Sequence, residues 1–269
     1  MSPTMTNPPV AWIRSIGLIG PGMSDWPACA AILLGKAEWQ PEKTVLNAPD
    51  QLPPAERRRA VRVVKLALGI GLQATTAAGV DPSGFATVFS SSGGDGVNCH
   101  QICETLASDD RQISPTRFHN SVHNAAAGYW GIATGATAAS AVLCAYDASF
   151  GAGLLEALAQ VQVERTPCLL LAYDADYPEP LRAARPIPDA FGVALLLTPE
   201  REAESCGRIA ASLTDAPADT LPDSALDALR CAIPAARSLP LLAAMAERRT
   251  GRVVLDYLAH ARLAVDYTA

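Results

Sequence analysis

Short apolar runs alternate along the chain with segments in which apolar residues recur at helical spacing. The clearest helical segment covers residues 54–78, where Val61, Val64, Leu68 and Leu72 share one face and Gly79 ends the pattern. The same spacing predicts further helices at 26–34, 97–106, 121–134, 150–161, 225–233 and 240–248. Apolar runs bounded by glycine, proline and polar residues predict strands at 10–19, 84–90, 139–144, 168–173 and 190–197, with 208–213 and 253–258 as candidates for two more.

This alternation of strands and helices predicts an α/β fold. In folds of that class a largely parallel sheet is covered by helices on both faces. The pattern therefore gives a fold class, and it names no function.

Composition narrows the class of partner. Of 269 residues, 49% are hydrophobic and 18% are charged, which favours a large core and association with another subunit. The net charge of −6 disfavours a nucleic-acid partner, since phosphate binding needs basic patches. The main basic cluster is a helical face over 57–65. It is either a solvated face or a docking surface for an acidic partner.

Targeting signals and cysteine usage indicate the compartment. Residues 1–9 lack a basic segment before an apolar stretch, so we expect no signal peptide. No apolar run reaches the roughly 18–20 residues of a membrane span, so no membrane partner is expected. The seven cysteines are scattered and odd in number, as is typical of free thiols in a reducing compartment. We expect a cytoplasmic protein.

Residues 114–152 carry most of the chemical information. They end in a turn of small residues, Ala145-Tyr146-Asp147-Ala148-Ser149, which leads into the predicted helix that begins at Phe150. Cys144 precedes this turn and has two interpretations. It is either a nucleophile or a buried strand cysteine, and a shift of one residue in a strand reverses the face on which a side chain lies.

Four further residues have the spacing of a possible metal site. Cys99, Cys103, His119 and His123 form a CxxxC…HxxxH array, and zinc accepts two thiolates and two imidazoles. The alternative is that the histidines cap helices or donate hydrogen bonds across an interface. The glycine-rich segment 90–96 lacks the lysine of a phosphate-binding loop, so we interpret it as a strand-to-helix turn.

Several segments resemble β-ketoacyl synthases. RSIGLIGPG is similar to the opening strand and turn of that family, and FATVFSSSGGDG to its strand and glycine turn. FHNSVHNAAAGYWGIATG with AYDASFGAGLLEA resembles more closely the short β-ketoacyl synthase-like proteins described as chain-length factors, which occur in type II polyketide systems such as aryl polyene pathways. The resemblance implies half of a thiolase-like fold, with a five-stranded mixed sheet between helices. It covers residues 10–213, and 214–269 would form a C-terminal extension packed on the same domain.

Two departures from the family pattern bear on function. Where the family places its nucleophilic cysteine, this sequence has Tyr146, and after Thr214 its one histidine is His260. The family's two catalytic histidines lie in C-terminal segments that have no similar counterpart here. The resemblance therefore implies a non-catalytic subunit of fatty acid or polyketide biosynthesis. It would pair with an active ketosynthase, or with itself, would work with an acyl carrier protein, and would need no cofactor.

The resemblance also suggests which residues face the partner or its acyl tunnel. They are His119, Asn120, His123, Asn124, Tyr129, Trp130, Tyr146 and Phe150. Three alternatives stay open. The chain could be a stand-alone acyltransferase or thioesterase that uses Cys144, a metal-dependent hydrolase that uses the Cys/His array, or a structural homodimer.

Overall fold

The computed structural model describes residues 8–47 and 49–269, so most of the segment on which the signal-peptide expectation rests lies outside the described residues. The strands are β1 Val10–Ile19, β2 Ala86–Ser90, β3 Ser140–Leu143, β4 Cys168–Asp174, β5 Phe191–Thr198, β6 Gly207–Thr214, β7 Gly251–Leu258 and β8 Ala261–Thr268. The helices are α1 Trp26–Leu33, α2 Pro54–Arg59, α3 Arg62–Ala78, α4 Gly96–Ala107, α5 Pro115–His119, α6 Ala125–Thr134, α7 Ser149–Glu164, α8 Leu181–Ala184, α9 Ser224–Ala232 and α10 Leu239–Ala246. Short 3₁₀ turns cover Tyr146–Ala148 and Pro234–Ser238.

All these strands form one mixed sheet in the order β3-β2-β4-β5-β1-β6-β8-β7. Strand β2 pairs in parallel with β3 and β4, and the other pairings are antiparallel. The α/β class is confirmed, but the expected five strands are wrong, because the sheet has eight. The first residues of β1 pair with β6 as well as β5, and the β7–β8 hairpin extends the sheet beyond β6.

Strand β8 was not predicted because the charged residues of its outer face interrupt the apolar run. Leu263, Val265 and Tyr267 are buried on one face, and on the other face the partly exposed Arg262 and Asp266 lie on either side of the small, buried Ala264. Such alternation is typical of an antiparallel strand that is solvated on one side. The segment 214–269 thus contributes two helices and two strands to the same sheet and core. A domain division at residue 213 stays a prediction.

Two apolar cores cover the two faces of the sheet. One joins α3 and α6 to the sheet, and the other joins α7, α9, α10 and the Pro234–Ser238 turn. Trp130 of α6 packs against Gly71 of α3, where an added Cβ would lie 2.6 Å from its ring. The small residue at position 71 therefore lets the two helices approach each other closely.

The predicted helix 54–78 is broken. Ala60 and Val61 are extended, with ψ angles of 115° and 170°, so α2 and α3 are separate helices. Arg62 at the start of α3 donates to the carboxylates of Asp176 and Asp189 at 2.9 and 2.6 Å. Asn120 Nδ2 donates to the carbonyl of Arg59 at the end of α2. These long-range contacts override the local helical pattern.

The predicted helix 121–134 is shorter, because α5 ends at His119 and α6 begins at Ala125. In the described residues, no helix combines the length and the apolar character that crossing a bilayer requires.

Candidate functional site

The turn between β3 and α7 presents one side chain to the outside. Tyr146 has a φ angle of +52°, a left-handed conformation that non-glycine residues adopt at a cost, and 61% of it is exposed. Ser149 fixes the turn, since its hydroxyl donates to the Tyr146 carbonyl at 2.7 Å and accepts from the Ala145 N–H at 3.1 Å. A sharp strand-to-helix turn of this kind is the geometry that exposes a nucleophile in hydrolases. Here it exposes a phenol.

Three charged side chains surround this phenol. The guanidinium carbon of Arg185 lies 3.8 Å from the centroid of the Tyr146 ring. The carboxylate of Asp147 pairs with Arg185 at 2.5 Å and with Arg237 at 3.2 Å. Arg237 also donates to the Asp147 carbonyl at 2.9 Å. Burial lowers the pKa of the Arg185 guanidinium, but the hydrogen bond and charge of Asp147 outweigh it and raise this pKa above its ordinary value, so Arg185 stays charged. The turn is thus tied to the loop after α8 and to the Pro234–Ser238 turn.

One of the two interpretations of Cys144, that it is a buried strand cysteine, is wrong. It follows the last residue of β3, and it is exposed. Its thiol donates to the Ser92 carbonyl at 3.2 Å. A carbonyl oxygen is not a general base, so this contact does not activate the thiol as a nucleophile.

The other predicted site residues separate into two groups. Tyr129, Trp130 and Phe150 are buried in the chain's own cores, and their side chains lie too deep to contact a partner directly. Asn120 is buried as well, where it caps α2. By contrast, His119 and Asn124 are exposed, His123 is half-buried, and the His119 ring stands edge-on to Tyr129 at 5.9 Å.

Two cavities lie near the turn, one that adjoins it through Arg185 and one that the turn itself lines. One has a volume of about 580 Å³, and its wall includes Cys99, Cys103, Phe118, Tyr177, Leu181 and Arg185. The second, of about 410 Å³, lies between the Tyr146 turn and the end of the β7–β8 hairpin. Sequence reasoning missed Tyr177, Leu181 and Arg185 because their proline-rich loop has no periodicity, and Arg185 gives no local signal of its contact with Tyr146.

The Cys/His array does not assemble into a metal site. Within residues 8–47 and 49–269, no three His, Cys, Asp or Glu side chains are placed to hold a metal ion. Cys99 and Cys103 share one cavity wall on α4, but His119 ends α5 and His123 lies in the turn after it. The metal-dependent hydrolase therefore loses its structural basis.

A buried carboxylate connects this region to the C-terminal segment. Asp174 at the end of β4 accepts from the N–H and hydroxyl of Ser92 at 2.8 and 2.6 Å, and from the N–H of Ala235 at 2.8 Å. Burial raises the pKa of Asp174 to about 6, although these hydrogen bonds and Arg185 oppose the shift. Asp174 thus ties the glycine-rich turn to the turn that carries Arg237.

Solved structures with the same fold come from ketosynthase complexes. A chain of the complex between a ketosynthase (ApeO) and its chain length factor (ApeC) from Xenorhabdus doucetiae is 25% identical, with a TM-score of 0.71 over 96% of this chain and 99% of that one. A chain of the ishigamide ketosynthase/chain length factor is 14% identical, with a TM-score of 0.71 over 96% and 99% of the two chains.

A third similar structure includes a carrier protein. A chain of the AntDE:AntF complex, a type II PKS acyl-carrier protein with its ketosynthase bound to the hexaketide, is 13% identical, with a TM-score of 0.72 over 98% and 100% of the two chains. These likenesses confirm the thiolase-like fold expected from the sequence.

Sequence comparison gives the family. No curated protein has significant sequence similarity to the chain. The family model of the β-ketoacyl synthase N-terminal domain matches residues 26–250, which is most of the chain. The chain therefore belongs to the family of β-ketoacyl synthase N-terminal domains.

Proposed function

We propose that this chain is a non-catalytic, chain-length-factor-like subunit that pairs with an active ketosynthase in type II polyketide or fatty acid biosynthesis. The observation that carries the proposal is Tyr146, the exposed side chain at the tip of the β3–α7 turn. A tyrosine hydroxyl has an ordinary pKa of about 10 and is a poor acyl acceptor near neutral pH. The resemblance places the nucleophilic cysteine of active β-ketoacyl synthases at this turn, where this chain therefore has no ready nucleophile.

The histidines add no catalytic base at this turn. The chain has four, His100, His119, His123 and His260. In the described part of the chain, none of them lines either cavity beside the turn. A Cys-His-His site would therefore have to come from a second subunit.

One part of the surface is suited to such a subunit. Six large apolar side chains between residues 97 and 146 are exposed, namely Val97, Leu106, Phe118, Val122, Ile132 and Tyr146. Within the described part of the chain, strand β3 lies at the edge of the sheet and pairs only with β2, and its side chains are exposed or half-exposed. An edge strand beside exposed apolar residues favours burial against a partner. The partner we propose is a homologous ketosynthase, as in the ApeO–ApeC complex.

The basic helical face is less suited to an acyl carrier protein than the sequence suggested. Arg57 pairs with Asp50, Arg59 with Glu56, and Arg62 with two carboxylates inside the chain. These internal pairs reduce the charge available to an acidic partner. We therefore propose that the carrier protein docks mainly on the ketosynthase subunit.

Co-expression with a ketosynthase encoded nearby tests the proposal. We expect a stable heterodimer that condenses acyl thioesters only as a pair and keeps its activity with Cys144→Ala in this chain. Tyr146→Cys in the isolated chain should give no condensing activity, because no histidine pair faces the turn. A chain that condenses alone, or that never binds a ketosynthase, would contradict the proposal. Supplying unsaturated, aryl-capped acyl substrates to the pair tests the narrower assignment to an aryl polyene pathway.

A second candidate function rests on the exposure of Cys144. In that alternative the isolated chain is an acyltransferase or thioesterase, and Cys144 forms the acyl-enzyme. Its hydrogen bond to the Ser92 carbonyl supplies no general base to activate the thiol. The alternative predicts hydrolysis or transfer of acyl thioesters by the isolated chain, with complete loss of that activity in Cys144→Ala.

A further inference from the structure

Arg185 touches both the exposed turn and the larger cavity. Its guanidinium stacks on the Tyr146 ring at 3.8 Å, and the same residue forms part of the wall of the 580 Å³ cavity. Tyr146 is not part of that wall. Arg185 therefore contacts the ring and also lines the cavity, so a change in its position can affect both.

The guanidinium is itself held in place. Asp147 pairs with it at 2.5 Å, and the Arg185 side chain is only 17% exposed. The second oxygen of the Asp147 carboxylate pairs with Arg237, which comes from the C-terminal segment. The Arg185 guanidinium thus makes both an ion pair with Asp147 and the stack on the Tyr146 ring, and a lysine ammonium has no planar face with which to stack.

We propose that Arg185 is a positioning residue that fixes the orientation of the Tyr146 ring and links that orientation to the shape of the adjacent cavity. The stack on the ring and one of the two ion pairs of Asp147 depend on Arg185, and Tyr146 is a largely exposed residue with a positive φ angle. Because Tyr146 is largely exposed, we expect its ring to rotate more freely about its side-chain bonds without this contact. One consequence rests on the proposed function. In the pair, Arg185 determines the acyl length that the ketosynthase accommodates, because it sets how far Tyr146 projects.

The isolated chain tests the positioning role without any partner. 3-Fluorotyrosine placed at position 146 gives one ¹⁹F resonance that reports on the ring's surroundings. We expect Arg185→Met to shift this resonance towards that of an unfolded control and to narrow it. Arg185→Lys should give an intermediate position, because the charge stays but the planar face is lost. Arg182→Met, in the exposed part of α8, should leave the resonance unchanged.

An unchanged resonance in Arg185→Met would overturn the proposal. If that variant does not fold, Arg185→Lys alone decides the question, since it keeps the ion pair with Asp147. A resonance identical to wild type in folded Arg185→Lys would then overturn the role of the guanidinium face.

The heterodimer tests the effect on acyl length. With wild-type chain, Arg185→Met and Tyr146→Leu, each paired with the same ketosynthase, we expect both variants to form heterodimers and to shift the product lengths in the same direction. Arg182→Met should keep the wild-type distribution. Unchanged lengths in Arg185→Met, despite a shifted ¹⁹F resonance, would overturn the specificity role. Failure of the wild-type chain to bind any ketosynthase would instead count against the proposed function, and the ¹⁹F result would still decide the positioning role.

Discussion

The guanidinium carbon of Arg185 lies 3.8 Å from the centroid of the Tyr146 ring, although the two residues belong to separate segments of the chain. Tyr146 has a positive φ angle and is largely exposed, so the turn alone does not determine where its ring lies. The stack with Arg185 and the ion pair between Arg185 and Asp147 supply that constraint. The most exposed part of the site thus depends on a loop that is distant in sequence.

Removing the charge of Asp147 should destabilise the chain. In Asp147→Asn the two half-buried arginines lose their shared anion, and we expect the free energy of unfolding to fall by roughly 1–3 kcal/mol. Asp266→Asn is the matched control, because its ion pair with Arg252 is about half exposed, and such pairs contribute about 0–1 kcal/mol. Urea unfolding of both variants measures the difference. Equal losses in the two would show that the Asp147 pairs contribute no more than a surface pair.

Two neighbouring glycines should respond differently to alanine. A Cβ at Gly96 would lie 1.7 Å from the Tyr177 ring, whereas a Cβ at Gly94 meets nothing within 4 Å. We expect Gly96→Ala to displace Tyr177 from the cavity wall and to lower stability by roughly 1–3 kcal/mol. Gly94→Ala should stay within about 0.5 kcal/mol of wild type. Thermal unfolding of the pair is the measurement, and equal stability of the two variants would argue against this packing.

Asp174 should make stability depend on pH. Its pKa is about 6 in the folded chain and 3.8 as an ordinary value, so folding favours the protonated carboxyl. Asp174 contributes roughly 3 kcal/mol to the free energy of unfolding. This contribution is complete below about pH 4 and is lost as the pH rises through about 6. Between pH 4 and 7, wild type should lose stability relative to Asp174→Asn in urea unfolding.

Ser92→Ala provides a second variant for the same carboxyl. The Ser92 hydroxyl donates to Asp174 and thereby lowers the pKa of that carboxyl. Its removal should therefore move the pH range over which stability is lost to higher pH. Parallel curves of stability against pH for wild type and both variants would contradict the assignment to Asp174.

The thiols should react in an order set by burial. Burial raises the pKa of Cys29 and Cys168 to about 12, whereas Cys99, Cys103, Cys144 and Cys231 are exposed. Iodoacetamide should therefore modify the exposed four first in the native chain, as peptide mass spectrometry would measure. Unfolded chain is the control, in which all seven cysteines should react. Early modification of Cys29 or Cys168 would contradict the burial described.

Local pattern determined most of the architecture. The apolar runs that became β4 and β5 are buried on both faces, as are residues 15–18 of β1, so their composition alone identified them. The small-residue turn after β3 was also visible, because Tyr146 stands between a short apolar strand and an apolar helix. These features depend on residues that are close to one another in sequence, so they can be predicted from the sequence alone.

Tertiary structure decided what local pattern could not. It broke the 54–78 helix at Ala60, since the contacts of Arg62 and Asn120 outweigh helical propensity there. It placed Tyr129, Trp130 and Phe150 in the core and left Cys144 exposed, because burial depends on which helix covers which face of the sheet. It also brought Arg185 and Arg237 to Asp147 from two separate segments. Ion pairs and cation–π contacts between such segments have no period in the sequence, so only the folded chain brings them together.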